Sequence, residues 1–516
     1  MSRDRSSGIL LHPTSLPGPN GIGELGADAR AWVDFLASAG QRLWQVMPLG
    51  PTGYGDSPYQ CFSAFAGNPY LIDLEALVAD GWLDRADLEP LRLLPKDRVD
   101  FGPLIRLKTD VLGRAAAAFT AGRTTGPSGP HADYRAFVSA NASWLDDYAL
   151  FMAVKESVGG GSWTGWPVGL RRRDASTLAA AAVELAPAVE RYKVWQFWFF
   201  RQWGALRAYA AERGVRIIGD VPIFVSLDSA DSWANPHLFH FDAEGSPTVV
   251  AGVPPDYFSA TGQRWGNPLY RWDVMRSDGF RWWIERIRAT LAMVDIVRID
   301  HFRGFAAYWE IPASEPTAVK GRWVTAPGTE LFEALSEAFP DLPVIAEDLG
   351  VITPDVEALR DAFGLPGMKV LQFAFGGNAN DPYLPHTYDR NCVVYSGTHD
   401  NDTTNGWYAK APESERDRVR RYLARGDDNV AWDFVRLALA STADTAVVPL
   451  QDVIGLGSEG RMNTPGQAAG NWSWRFTWDM IPHWVAPQLR EMAEVYGRTE
   501  DGEPVDTAYR QSTITS

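Results

Sequence analysis

The feature that most constrains the fold of this 516-residue chain is a repeated alternation of short apolar runs with helical segments. Segments such as 27–39, 280–292 and 353–362 have helical spacing of apolar residues. Between such segments lie eight runs rich in Val, Ile and Leu, typical of buried strands: residues 8–13, 41–48, 215–220, 294–300, 342–348, 368–375, 392–400 and 445–450. Parallel strands need helical crossovers, so eight such units predict an α/β fold, a (β/α)8 TIM barrel.

An open, doubly wound sheet is the alternative to a barrel, and the sequence disfavours it. Such a sheet would carry a Gly-rich phosphate loop after its first strand, and neither G-x-G-x-x-G nor a Walker sequence occurs. The alternation is interrupted at about 75–195, where only helical segments occur. We therefore predict a single catalytic barrel over 1–516 with a mostly helical insertion at about 75–195, after the second strand.

The charge and the cysteine count limit the partners and the compartment. The net charge of −16 repels phosphate backbones, so we expect no nucleic-acid partner. Two cysteines, Cys61 and Cys392, are too few for a disulfide framework, and no spacing predicts a zinc site. The first residues lack the apolar core of a secretory signal, and no run of about 18 apolar residues occurs. We expect a cytoplasmic protein that does not bind membranes.

The 22 tryptophans favour a carbohydrate-binding surface, because aromatic faces stack on the C–H faces of sugars. The alternative is that they are simply large core residues. A carbohydrate surface would be shared by an enzyme and by a non-catalytic glucan-binding protein, and the acidic strand ends favour the enzyme.

Four predicted strands end in carboxylates, at Asp220, Asp300, Glu347 and Asp400. The carboxyl ends of barrel strands form the active-site face. A retaining glycosidase needs an ionised nucleophile on one side of the scissile bond and a protonated carboxylic acid on the other. Arg298 lies two residues before Asp300, on the same side of the strand. Its charge is expected to keep Asp300 ionised, which suits the nucleophile.

The remaining acids have distinct roles in this hypothesis. A neighbouring carboxylate would raise the pKa of Glu347, which suits an acid/base. Asp400, beside His399, would hydrogen-bond sugar hydroxyls and support the oxocarbenium-like transition state. Asp220 would do the same or orient the neighbouring side chains. The alternative is an Mg²⁺ or Mn²⁺ site, which Arg298 disfavours because a cation already occupies that position.

Two loops rich in Gly and Pro are predicted to complete the site. Residues 50–60 follow the second strand and carry Tyr54, Ser57 and Tyr59 where βα loops build active sites. A rigid structural turn is the alternative there. Residues at about 250–268 form a candidate lid over the cleft.

Seven stretches carry a resemblance to a known family: 53–60 (GYGDSPYQ), 219–223 (GDVPI), 252–258 (GVPPDYF), 261–268 (TGQRWGNP), 298–303 (RIDHFR), 346–350 (AEDLG) and 398–401 (THDN). The chain resembles the amylomaltases, the 4-α-glucanotransferases or disproportionating enzymes of the α-amylase superfamily. The strand-end motifs are shared across the superfamily, and the loops at 53–60 and 252–268 narrow the resemblance to amylomaltases. It covers nearly the whole chain.

The resemblance implies roles at the matching positions. Asp300 would be the nucleophile, Glu347 the acid/base and Asp400 the third, transition-state carboxylate. Four residues would line the subsite for the attacked glucose: Tyr59, Asp220, Arg298 and His399. Four more would contact the glucan or stack on it: Tyr54, Asp256, Trp265 and Asn471.

The resemblance also implies partners and a reaction. The partners would be α-1,4-glucan donors and acceptors, with no cofactor and no metal. No C-terminal β-sandwich is expected, because the 66 residues after position 450 are too few for one plus a closing helix. Hydrolysis and transfer use the same carboxylates and the same covalent intermediate, so an α-glucan hydrolase is the alternative.

Overall fold

Eight parallel strands form the central sheet of the computed structural model, which describes residues 5–122, 129–255, 259–467 and 469–499. The strands, β1 to β8 in chain order, are Ser6–Leu10, Leu43–Gln45, Arg216–Pro222, Ile296–Asp300, Val344–Ala346, Gly367–Val370, Cys392–Tyr395 and Thr445–Pro449. Sequential strands are neighbours in the sheet, and β8 pairs with β1. Between β5 and β6, the Ala346 N–H donates to the Pro366 carbonyl at 2.9 Å. The predicted (β/α)8 barrel is confirmed.

Helices cover the outside of this barrel. The first, Ala27–Ser38, buries Ala29, Trp32, Val33 and Leu36, whose spacing of three and four residues places them on one face. The later helices around the strands are Ala186–Ala211, Ala230–Ala234, Trp272–Ser277, Arg281–Met293, Gly328–Ala338, Pro354–Ala362, Thr404–Lys410, Glu413–Leu423, Val430–Ala440, Leu450–Val453 and Val485–Val495. The connection from β6 to β7, all of it described, contains only the short 3-10 helices Leu371–Phe373 and Pro385–Thr387.

Between β2 and β3 the described chain is helical. Before Ala186–Ala211 come Leu74–Ala79, Glu89–Arg92, Phe101–Ala121, Pro130–Ala140, Ala142–Ser157, Val168–Arg171 and Ala175–Glu184. Ala175–Glu184 and Ala186–Ala211 are two helices that meet at Leu185. Pro187 is favoured in a first helical turn because it lacks an N–H to donate. The division of the chain at about 75 and 195 stays a prediction.

Ala186–Ala211 also holds the loop that follows β2. The Gln196 amide accepts from the Gly67 N–H at 2.7 Å and donates to the Gly67 carbonyl at 2.9 Å. Gln202 makes the same paired contact with Asp73, at 2.7 and 3.1 Å. These buried amides satisfy backbone groups that water cannot reach, and so fix the loop that carries Tyr59.

A second, antiparallel sheet of four strands was not expected from the sequence. Its order is Gln263–Pro268, Val249–Val253, Ala307–Pro312 and Arg322–Thr325. The candidate lid at about 250–268 therefore begins and ends in paired strands, and is a hairpin rather than an open loop. Its first two strands contain Gly and Pro, which are poor strand formers, so sequence pattern alone favoured a loop.

Beyond β8 the described residues, 450–467 and 469–499, form helices and turns without a further strand, so they contain no β-sandwich. The last helix, Val485–Val495, packs on Ala27–Ser38. Across the described ranges, no helix has the length and apolarity needed to cross a membrane.

Candidate active site

Asp220, Arg298 and Asp300 form a ladder of charges across β3 and β4. The strand register places Asp220 opposite Arg298, with Asp300 two residues nearer the barrel mouth. Arg298 Nη1 lies 2.6 Å from Asp220 Oδ2, and Arg298 Nη2 lies 3.0 Å from Asp300 Oδ1. The side chains of Asp220 and Arg298 are 1% and 4% exposed, whereas that of Asp300 is 30% exposed. One guanidinium thus pairs with two carboxylates and leaves Asp300 open to a ligand.

Tyr59 extends this ladder to the loop after β7. Its hydroxyl donates to Asp220 Oδ2 at 2.7 Å and lies 2.9 Å from His399 Nε2. Burial, and then the charge of Asp220, raises the pKa of Tyr59 well above its ordinary value, so the phenol stays protonated. Its single proton goes to the carboxylate, so His399 Nε2 must carry a hydrogen and donate to Tyr59. The tautomer of His399 is thereby assigned.

Glu347 directly follows β5, and two backbone N–H groups hold its carboxyl. The His301 N–H donates to Oε2 at 2.6 Å, and the Leu349 N–H donates to Oε1 at 2.9 Å. His301 has φ 53° and ψ 49°, in the left-handed region, which costs an L-residue about 1 kcal/mol. This turn ends β4 directly after Asp300 and directs the His301 N–H towards Glu347.

The pKa values of Asp300 and Glu347 are both raised, but to different extents. Burial raises the pKa of Asp300 to about 6, against the opposing charge of Arg298. Burial, and then the charge of Asp300, raises the pKa of Glu347 to about 8. Burial therefore outweighs the Arg298 guanidinium, whose charge was expected to keep Asp300 ionised. At pH 7, Asp300 is nevertheless mainly ionised and Glu347 mainly protonated.

Asp400 lies in a turn beyond β7, which ends at Tyr395 rather than continuing to residue 400. Its side chain is 48% exposed, and the Asn463 amide donates to its Oδ1 at 2.6 Å. His399 Nε2 lies 3.5 Å from Asp400 Oδ2. Asp400 is therefore the most solvent-accessible of the predicted acids, oriented by a loop that follows β8.

A cleft of about 600 Å³ lies at the mouth of the barrel; Asp300 and Asp400 line it, whereas Asp220, Arg298 and Glu347 are not among its lining residues. Its lining includes seven of the predicted residues: Ser57, Tyr59, Trp265, Asp300, His399, Asp400 and Asn471. The Trp265 indole meets the His301 ring edge-on, with centroids 4.8 Å apart. On the opposite side Trp472 contacts Tyr59 and His399, at 5.8 and 5.7 Å between centroids. The cleft thus combines aromatic walls with a charged floor, as a sugar-binding site requires.

Comparison with known proteins identifies the family. The sequence profile of the 4-alpha-glucanotransferase family matches residues 11–480. The chain belongs to the 4-alpha-glucanotransferase family. This protein is 55% identical to the 4-alpha-glucanotransferase of Thermus thermophilus, and the match covers 96% of this chain and 100% of that one. It is 50% identical to the enzyme of Synechocystis sp., over 96% of this chain and 98% of that one.

A solved structure agrees with this assignment. The amylomaltase of Streptococcus agalactiae, determined in complex with acarbose, superposes on this 4-alpha-glucanotransferase family member with a TM-score of 0.92. The two are 38% identical, and the match covers 96% of this chain and 100% of that one. The resemblance to amylomaltases predicted from the motifs is confirmed.

Several residues predicted to contact the substrate keep that role as a prediction, because they lie outside the described residues or bond within their own loops. Asp256 and the side chain of Tyr54 lie outside the described residues. Ser57 Oγ accepts from the Tyr59 N–H at 3.2 Å, so its hydroxyl also shapes the turn. Asn471 uses its amide within its own loop, accepting from the Thr464 N–H and donating to the Gln467 carbonyl, each at 2.9 Å.

Three residues of the site were missed when candidates were assigned from the sequence. His301 directly follows Asp300, but its backbone N–H, which holds Glu347, is set by a turn that sequence does not display. Asn463 orients Asp400 from a loop after β8, and its position after a strand end was the available signal. Trp472 follows Asn471 directly, and an aromatic side chain beside a candidate site was the signal there.

No group of three or more His, Cys, Asp or Glu side chains within the described ranges is arranged to hold a metal ion. The cation between Asp220 and Asp300 is the Arg298 guanidinium.

Proposed function

We propose that this protein is a retaining 4-α-glucanotransferase that cleaves an α-1,4 bond of one glucan and transfers the released segment to the 4-hydroxyl of another. The observation that carries the proposal is the pair Asp300 and Glu347, whose pKa values of about 6 and about 8 provide an ionised nucleophile and a protonated acid at neutral pH. That pairing is what a covalent glycosyl intermediate requires.

In the first step Asp300 attacks the anomeric carbon, and Glu347 gives its proton to the departing glycosidic oxygen. The bond from the anomeric carbon to Asp300 Oδ forms as the bond to the leaving oxygen breaks. Arg298 holds Asp300 at 3.0 Å and limits its rotation, so the attacking oxygen is positioned before the glucan binds.

In the second step Glu347, now ionised, removes the proton from the acceptor 4-hydroxyl, and that oxygen displaces Asp300. The proton that left in the first step is thereby replaced, and the anomeric configuration is retained. We propose that Asp400 stabilises the positive charge that develops on the sugar ring in both steps. Its exposed carboxylate, hydrogen-bonded by Asn463, supports this role.

The subsite for the attacked glucose is proposed to include Tyr59, Asp220, Arg298 and His399. Asp220 Oδ1 is buried and no group of the described residues hydrogen-bonds it, so this oxygen lacks the partner that a buried carboxylate oxygen normally has. The Tyr59 hydroxyl hydrogen-bonds both Asp220 and His399, so a sugar hydroxyl that binds here meets donors and acceptors whose orientation is already fixed.

Transfer predominates over hydrolysis when the covalent intermediate reacts with a glucan hydroxyl before it reacts with water. We propose that the hairpin at about 250–268 is a lid that favours the glucan. Trp265 would stack on a sugar face, as would Tyr54, and Asp256 would face the glucan. The location of Trp265 on the cleft wall, against His301, supports this role. The donor and acceptor are proposed to be α-1,4-glucans.

Incubation with maltotriose tests the reaction directly. A transferase converts it to glucose and a ladder of longer maltooligosaccharides. Glucose and maltose without a ladder would mean an α-glucan hydrolase. Full activity after exhaustive chelation is expected, and loss of activity that Mg²⁺ restores would mean a metal-dependent enzyme.

Asp300→Asn separates catalysis from binding. The amide cannot attack, so turnover of maltotriose should fall to background while binding of a maltooligosaccharide is retained. Asp361→Asn, an exposed acid on the helix Pro354–Ala362, is the matched control and should be fully active. A wild-type protein that binds glucan and turns nothing over would instead be a glucan-binding protein.

The proposed compartment is the cytoplasm. Cys61 and Cys392 are both free thiols, as expected where the environment is reducing. Fractionation of cells that express the protein tests this, and recovery outside the cytoplasm would refute it.

A further inference from the structure

A second cleft, of about 680 Å³, lies between the helices Val430–Ala440 and Val485–Val495, outside the site described above. The indoles of Trp432 and Trp484 form its apolar part, with ring centroids 5.3 Å apart. Trp432 is buried, whereas Trp484 is 45% exposed. The two ring planes are tilted by 48°, so the exposed indole is supported by a buried one and still offers aromatic surface to solvent.

The rest of this cleft is polar and balanced in charge. Arg425 and Asp433 form an ion pair, with Nε and Oδ1 3.4 Å apart. Arg436 and Asp428 also line the cleft, together with the amides of Asn429 and Gln488. Two acids against two guanidiniums give no preference for a charged ligand. Planar amides, carboxylates and guanidiniums around an aromatic platform suit a neutral ligand with many hydroxyls.

The position of the cleft relates it to the catalytic mouth. Beyond the end of Val485–Val495, Arg498 Nη1 donates to the carbonyls of Ser6 and Asp444, at the start of β1 and just before β8. That end of the barrel is opposite the catalytic face. Trp484 precedes the same helix, whose 11 residues rise about 16 Å. Trp484 therefore lies towards the catalytic end of the barrel.

We propose that this cleft is a second, non-catalytic binding site for α-1,4-glucan chains, with Trp484 as the platform on which a sugar ring stacks. The choice of glucan rests on the proposed function. A long chain held at Trp484 would stay near the active site while its segments are cleaved and transferred. The site therefore raises the effective concentration of polymeric substrate without contacting the reacting bond.

The test compares a polymer with a short donor in the full-length protein. For Trp484→Ala, the Kd for glycogen, measured by retardation in native gels, should rise about three- to tenfold, the range for loss of one aromatic stacking contact. Its kcat/KM for maltotriose should stay within about twofold of wild type, because this cleft and the catalytic cleft share no lining residue. Trp484→Phe keeps an aromatic face, so its Kd for glycogen should lie between those of wild type and Trp484→Ala.

Two further variants separate the platform from a general effect. Gln488→Ala, one helical turn after Trp484 on the same wall of the cleft, should also weaken glycogen binding. Trp323→Ala removes an indole that is 42% exposed on the antiparallel sheet, and should leave glycogen binding unchanged. Thermal unfolding checks that each variant is folded.

Three results are decisive. Unchanged glycogen retention in a folded Trp484→Ala protein overturns the proposal. So does a dimer, seen by analytical ultracentrifugation, that Trp484→Ala dissociates, because the cleft would then be an interface between copies. If maltotriose gives no products but glycogen retention still depends on Trp484, the glucan site stands and the proposed reaction fails.

Discussion

Replacing Glu347 by Gln removes the proton that the proposed acid must donate, and leaves a side chain of the same shape. The pKa of Glu347 is raised from 4.5 to about 8, chiefly by burial and then by the charge of Asp300. Arg298 and the N–H groups of His301 and Leu349 oppose this rise without cancelling it. The carboxyl is therefore more easily protonated in the folded protein than in the unfolded chain.

This difference makes stability depend on pH, with a definite sign. A raised folded-state pKa favours folding below pH 4.5 and is a growing penalty as the pH rises towards 8. One pKa unit corresponds to about 1.4 kcal/mol, so the penalty is on the order of 3 to 5 kcal/mol at pH 8 and above. Gln does not titrate, and it loses one N–H contact at a cost of about 1 to 2 kcal/mol at every pH.

The measurement is urea unfolding of wild type and Glu347→Gln at pH 5 and pH 8.5. The variant should be less stable than wild type at pH 5 and more stable at pH 8.5. Glu357→Gln, on the exposed face of Pro354–Ala362, is the control and should follow wild type at both pH values. A stability difference between Glu347→Gln and wild type that does not change with pH would refute the argument that burial keeps Glu347 protonated.

The same variant has a kinetic signature. Wild-type kcat/KM for maltotriose should be bell-shaped, with limbs near pH 6 from Asp300 and near pH 8 from Glu347. Glu347→Gln should lower it by about 10²- to 10⁴-fold and remove the alkaline limb. With α-maltosyl fluoride, whose leaving group needs no proton, formation of the intermediate should be largely restored. An equal loss on both donors would contradict an acid role.

Three other predictions follow from the charge ladder and its neighbours. Arg298→Met leaves Asp220 buried and unpaired, so it should lower the free energy of unfolding, measured by urea titration, by about 3 to 5 kcal/mol. The double variant Arg298→Met, Asp220→Asn should recover most of the lost stability. Tyr59→Phe should reduce kcat/KM for maltotriose about 10- to 100-fold while leaving chain folding intact by circular dichroism, since one buried donor is lost. Asn463→Ala should lower kcat about tenfold with little change in KM, because it loosens Asp400 and not the ground-state complex; a change confined to KM would count against this role.

Local pattern was sufficient for the barrel and for the identity of its acids. Apolar runs and helical spacing depend on near neighbours in the chain, so eight strand positions could be predicted within a few residues. Asp300 and Glu347 were found because each follows a buried run, and strand ends in a parallel barrel meet at one face. The antiparallel sheet was missed because its strands are short, two of them contain Gly, and they are held by pairing with residues distant in the sequence.

The arrangement within the site is decided only by tertiary structure. The register of β3 against β4 is set by packing along both strands, and it alone places Arg298 between Asp220 and Asp300. The depth of burial is a property of the whole fold, and it raises the pKa of Asp300 to about 6 although the charge of Arg298 opposes the rise. Sequence by itself determined which residues stand at the barrel mouth. Because electrostatic energy depends on distance and on exclusion of water, only the folded chain decided which carboxyl is ionised and which holds a proton.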